Sequence, residues 1–177
     1  VASVSAGGNH SLYVKTDGSL WSMGSGWAGA LGTGSDDDNA TPLQVVDSNV
    51  TLVSAGGNHS LFVKTDGSLW GMGFNSSGQL GDGLTTNRLS PVQILSTGVT
   101  SVTTGDNHSL ILKTDGSLWG MGNNSHGQLG DGSLANRASP VQIEPSGVVL
   151  LAAGHQHSLY ATSADKLKSM GNNINGA

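Results

Sequence analysis

Four histidines, His10, His59, His108 and His157, recur at a fixed interval of 49 residues, and each is followed by a serine. Imidazoles in a ring could ligate a metal or act as bases, and a Ser-His pair could form an activated nucleophile. The pattern argues against both. Residues at equivalent places in repeated units lie too far apart to share one metal. A nucleophile pair would have to occur four times, and adjacent strand residues point to opposite faces. The histidines are therefore expected to be structural, their rings tying neighbouring backbone together by hydrogen bonds.

Other polar groups read the same way. His155 and His157 could share a strand face, yet no third ligand stands nearby. Asp36, Asp37 and Asp38 form the one acidic run, which reads as a solvated loop before a cation site. Arg88 and Arg137 are the only arginines and recur at one position of the interval, which suits a repeated salt link better than a phosphate clamp. The loops of the form Gly-Gln-Leu-Gly-Asp-Gly lack the lysine and following helix of a phosphate-binding loop, so they are turns. This leaves no catalytic residue, no metal ligand, no cofactor and no enzyme expected.

The elements that position these groups follow from composition and repetition. With 28 glycines, 11% charged residues and a single glutamate, Glu144, the 177-residue chain suits short strands and turns, not a helical bundle. Seven lysines and arginines against twelve acids give a net charge of -5, which argues against nucleic acid as the partner. No apolar run approaches a membrane span. There is no cysteine, so disulfides and thiolate chemistry are excluded. The chain opens at Val1 without a secretory pattern and reads as a processed or excised piece.

Trp21, Trp70 and Trp119 keep the 49-residue interval, as do Pro42, Pro91 and Pro140 and the methionines Met23, Met72, Met121 and Met170. Units span 1–49, 50–98 and 99–147, with a partial unit at 148–177. Inside a unit, His59–Lys64 reads as a strand, and Asp66-Gly67 as a type I′ hairpin turn, like Asp17-Gly18 and Asp115-Gly116. Leu69–Gly73 is the return strand, and Ser90–Ile94 is a strand entered through proline. Four strands per unit, at a period near 50, predict an all-β fold of β-propeller blades. Trp70 and Trp119 are expected to be mostly buried between blades.

The shared pattern, V-x-x-V-x-x-G-x-x-H-S-L-x-x-K-T-D-G-S-L-W-x-M-G followed by G-Q-L-G-D-G and S-P-V-Q, resembles the regulator of chromosome condensation repeat, especially its bacterial branch. The resemblance covers the whole chain. It implies blades of four antiparallel strands, most often seven to a ring, of which this chain supplies about 3.6. Three departures stand out. Methionine replaces the usual aromatic before glycine. Unit 1 carries Gly26–Gly34 in place of the Asn-x-x-Gly-Gln-Leu-Gly-Asp-Gly loop. Unit 4 loses its Asp-Gly turn and has Lys168 at the tryptophan position, as a terminal unit would.

The resemblance further implies a non-enzymatic scaffold that binds a protein partner or self-associates through open blade faces. An exported or cell-surface bacterial protein fits that branch. The alternatives are inhibition of an enzyme through one propeller face, or nucleotide exchange on a small GTPase, as in the family's founding member. Trp27, Asp36, Asp37, Asp38, Phe74 and His126 are the candidate interaction residues.

Overall fold

A computed structural model describes residues 1–172. Strands β1 (Ser3–Ala6), β2 (His10–Val14), β3 (Leu20–Gly24) and β4 (Asn39–Val46) form the first antiparallel sheet, in chain order. The second is β5 (Val50–Ala55), β6 (His59–Lys64), β7 (Leu69–Gly73) and β8 (Arg88–Leu95). The third is β9 (Val99–Thr104), β10 (His108–Lys113), β11 (Leu118–Gly122) and β12 (Arg137–Glu144). Three strands, β13 (Val148–Ala153), β14 (His157–Thr162) and β15 (Leu167–Gly171), make the fourth. The one helical element among the described residues is a 3₁₀ turn at Trp27–Gly29, where the sequence reading has none.

First strands of successive sheets touch, β1 against β5, β5 against β9 and β9 against β13. They gather on the inside, while the proline-bearing strands β4, β8 and β12 form the rim. These are propeller blades. Alternation along β6 sends Leu61 and Val63 to one seam and Phe62 to the other, all buried. Each apolar cluster therefore belongs to two blades. The first joins Leu12, Val14 and Leu20 to Phe62 and Met72 across the seam.

The hairpins form where expected, but not with the expected turn. Lys15 N–H donates to Ser19 O and Gly18 N–H to Lys15 O, both at 3.0 Å. Gly18, Gly67 and Gly116 have positive φ, whereas the preceding aspartates do not. This is a three-residue loop, a type I turn closed by a left-handed glycine, in place of type I′. The reason lies in the aspartate side chain. Asp17 Oδ1 accepts the Ser19 hydroxyl at 2.6 Å and the Ser19 N–H at 2.9 Å, which holds Asp17 in a right-handed turn. Those bonds also hold the Asp17 carboxyl below its ordinary range.

Ser19 in turn accepts the Trp21 indole N–H at 2.9 Å, and Ser68 and Ser117 do the same for Trp70 and Trp119. Trp70 packs against the first apolar cluster and Trp119 against the second, between blades as expected. All three rings keep a partly exposed edge, with lysine ammoniums over their faces at 3.7 Å (Lys15), 4.5 Å (Lys64) and 3.9 Å (Lys113). Depth belongs to the methionines: Met72 and Met121 are fully buried.

Across each seam runs a two-bond relay. Ser60 Oγ donates its one proton to Ala30 O at 2.8 Å, Ser109 Oγ to Gln79 O, and Ser158 Oγ to Gln128 O. The His10, His59 and His108 Nε2 atoms lie 2.8, 3.0 and 2.8 Å from those same hydroxyls. A hydroxyl that has spent its proton can only accept, so each imidazole carries hydrogen on Nε2. The Nδ1 atoms of His59 and His108 are buried without a hydrogen-bond partner. They lie against Gly56 and Gly105, where any Cβ would collide with the ring. A proton on Nδ1 would meet no acceptor. The histidines thus bond to a serine one blade on, beyond the neighbouring backbone that the sequence reading foresees.

Burial lowers His10 and His108 to about 4 and His59 to about 3, neighbouring histidines adding to the last two. The unfolded chain takes up protons below about pH 6.5 that the folded chain refuses, so stability is full above that pH and declines towards pH 4. Each histidine should cost roughly 2 kcal/mol between pH 6.5 and pH 5. Urea titrations over this range check the slope, and His59→Gln should flatten it by about one third. In the same assay at pH 7, Phe62→Ala should cost about 3–5 kcal/mol, and Trp70→Ala less because its ring keeps a partly exposed edge.

Candidate interaction surface

Loops after the first and third strands of a blade share one end of the fold. Ser25, Phe74 and Asn123 N–H groups donate to Asn9, Asn58 and Asn107 O at 2.8, 2.9 and 2.8 Å. In units 2 and 3 the long third loop is built on a buried asparagine. Asn75 Nδ2 lies 3.0 Å from Asp82 Oδ1 and reaches the Thr86 carbonyl, while its Oδ1 accepts Leu80 N–H. Asp82 Oδ2 accepts Arg88 Nε–H at 2.6 Å. Burial pushes the Asp82 carboxyl up, but hydrogen bonds from Arg88, Leu84 N–H and Asn75 together outweigh it and hold it low. Asn124, Asp131 and Arg137 repeat the arrangement, with Asp131 held at about 2 against its burial by Arg137, Ser133 and Asn124. The two arginines are therefore salt-linked within their own units.

Unit 1 has Gly26, Thr33 and Asn39 at these three positions, so the hub is missing as a set. Asp38 Oδ1 keeps the bond that Asn87 and Asn136 make in the other units, accepting Gly26 N–H at 2.9 Å, and also takes the Ser25 hydroxyl at 3.0 Å. The loop turns at Trp27–Gly29, as the other units do at 76–78 and 125–127, and sets the Trp27 ring 5.0 Å from Phe74 of the next blade. Trp27 stays 50% exposed, with exposed Asp36 and Asp37 in the same loop. Two units further on, exposed His126 and Leu134 occupy the corresponding loop.

Around the axis the inner turns touch one another. Gly8 N–H donates to Gly56 O at 3.0 Å, and Gly57 N–H to Asp106 O at 3.1 Å. Asp106 and His155 stand at the position of Gly8 and Gly57, their side chains 3.4 Å apart. His155 and His157 do not converge on a ligand set. No group of three His, Asp or Glu side chains among the described residues could hold a metal. No helix there is long and apolar enough to cross a membrane.

The structure brings Trp27 and Phe74 together and keeps Asp38 as a loop cap. It leaves His126 in a separate loop, its ring 3.1 Å from the Ser125 hydroxyl. Sequence reasoning missed Asn75, Asn124 and the relay serines. Their signal is periodic: Asn75, Asp82 and Arg88 recur together in unit 3 and vanish together in unit 1.

Comparison with known proteins agrees with this architecture. The profile described as "Regulator of chromosome condensation (RCC1) repeat" matches residues 17–63, 66–112 and 115–161. A second profile of the same description matches 1–26, 50–79 and 99–128. Among curated protein sequences none matches. Human WBSCR16 is similar in structure, at 24% identity and a TM-score of 0.85, over 97% of this chain and 49% of that one. Yeast RCC1 (Prp20), bound to Kap60, matches at 22% and 0.81, over 95% and 42%. Prp20p from Saccharomyces cerevisiae matches at 23% and 0.82, over 96% and 44%. The chain thus spans less than half the length of these propellers. By motif, blade and profile, it belongs to the regulator of chromosome condensation (RCC1) repeat family.

Proposed function

We propose that the chain is a non-enzymatic interaction scaffold that presents its long-loop end to a protein partner. One observation carries this reading. The polar side chains repeated from unit to unit are spent on internal bonds, whereas exposed Trp27, Asp36, His126 and Leu134 differ between units and stand at one end. A half-exposed aromatic pair, Trp27 on Phe74, is the kind of anchor that protein interfaces use. Related propellers support the class: yeast RCC1 was crystallised with Kap60, and Prp20p is described with binding to Gsp1p and histones.

A photo-crosslinking residue placed at Leu134 should form adducts with a specific protein, and one placed at Thr97, on the opposite end, should not. Trp27→Ala combined with Phe74→Ala should then weaken binding of that protein at least tenfold, about 1.4 kcal/mol, with the urea midpoint little changed. Equal crosslinking from both ends would overturn the assignment of the surface. Accelerated nucleotide release from a GTPase would replace the scaffold with an exchange factor.

A further inference from the structure

We propose that a partner engages this chain through a basic segment, one arginine or lysine of which lies over Trp27 while its neighbours pair with Asp36 and Asp37; this rests on the long-loop end being the interaction surface. The four tryptophans supply the first observation. Trp21, Trp70 and Trp119 are each satisfied twice. A serine oxygen accepts the indole N–H, at 2.9, 2.9 and 2.8 Å, and a lysine ammonium covers the ring face. Trp27 has neither partner among the described residues. Its ring meets Phe74, and the residue remains 50% exposed. A half-exposed indole attracts a cation through its π electrons, as the other three do in this chain.

Charge is divided unevenly between the two ends. All five lysines, Lys15, Lys64, Lys113, Lys166 and Lys168, stand at or beside the hairpin turns with six acids, a net of -1. The long-loop end holds the two arginines and the other six acids, Asp36, Asp37, Asp38, Asp82, Asp106 and Asp131, a net of -4. Neither arginine is free to offset the rest, since Arg88 is tied to Asp82 at 2.6 Å and Arg137 to Asp131 at 2.7 Å. Of the four remaining acids, Asp38 caps its own loop, and Asp106 accepts Asn107 Nδ2–H with His155 at 3.4 Å. Asp36 and Asp37 are exposed, and among the described residues no hydrogen bond or ion pair reaches either carboxylate.

The loop backbone puts these carboxylates beside the free indole. Gly26 packs so closely on the opposite arm that any Cβ there would strike the Asp37 carbonyl, and Trp27 is the next residue. Asp38 Oδ1 clamps the same point by accepting Gly26 N–H at 2.9 Å. Aromatic ring and paired acids are therefore preformed, at little ordering cost to a partner. An acidic segment would meet like charge, and a purely apolar one would leave Asp36 and Asp37 unpaired in the interface. A guanidinium suits the place best, because it lies flat on an indole and directs N–H groups in pairs at carboxylates.

Two dodecapeptides test this, one of alternating Arg and Gly and one of alternating Glu and Gly. In NMR titrations the Arg-Gly peptide should shift the indole N–H signal of Trp27 and leave those of Trp21, Trp70 and Trp119, which already carry lysines, in place. With a fluorescein label on the same peptide, anisotropy should show Asp36→Asn combined with Asp37→Asn weakening binding about fivefold. The urea midpoint should not move, because Asp38 still holds the loop. Equal binding of the Glu-Gly peptide, or equal shifts at all four indoles, overturns the proposal. Crosslinking from Leu134 separates it from the choice of surface. A protein captured there that binds undiminished after both aspartate substitutions would leave the surface assigned and overturn the basic segment.

Discussion

A four-stranded sheet with apolar side chains on both faces is not stable alone, so everything in this molecule depends on the seam between blades. Dispersion and burial would let two such faces slide, since Leu, Val and Phe pack without strong direction. The relay from imidazole to hydroxyl to carbonyl supplies direction. It joins a second strand, the next blade's second strand and a long loop at one buried point, three times over. The glycines at the inner turns follow from it, because the imidazole edge occupies the space a Cβ would need.

Fixing the tautomer also decides what the histidines can do chemically. A ring with Nε2–H committed to serine and Nδ1 sealed against glycine, as in His59 and His108, stays neutral near pH 7 and offers a metal no accessible lone pair while the blade stays closed. The serine is likewise committed, its proton on a carbonyl and its lone pair on the imidazole. The residues with the most chemical promise in the sequence are thus among those removed from solvent, and the proposed recognition falls to loops that the repeat leaves free to vary.

Strands, hairpins and blade order are legible in the sequence because their signals are local: alternation along His59–Lys64, Asp before Gly, and proline at the rim. Contacts that cross a seam are less so. His59 and Ser109 are 50 residues apart, and nothing near either names the other. Tryptophan depth is set by a different demand. An indole buried whole must satisfy its N–H, and the nearest acceptor is the serine two residues before it, beside the exposed turn. Methionine, with no such demand, takes the deep place. At the candidate surface Trp27 and Phe74 are visible as aromatics, but their contact crosses the first seam and nothing near either residue names the other.

The Trp27–Phe74 contact has a consequence for how the chain finds its order. Units this similar face an addressing problem during folding, since a blade shifted by one whole repeat would find nearly the same hydrophobic partners and the same relay. Between units 2 and 3, which are near-copies in sequence, a shift changes few partners. At the first seam it removes one, because the positions that match Trp27 and Phe74 one unit on are Ser76 and Asn123, which cannot stack. The odd loop thereby acts as a label, distinguishing the first seam from its near-copies and anchoring the numbering of the blades that follow.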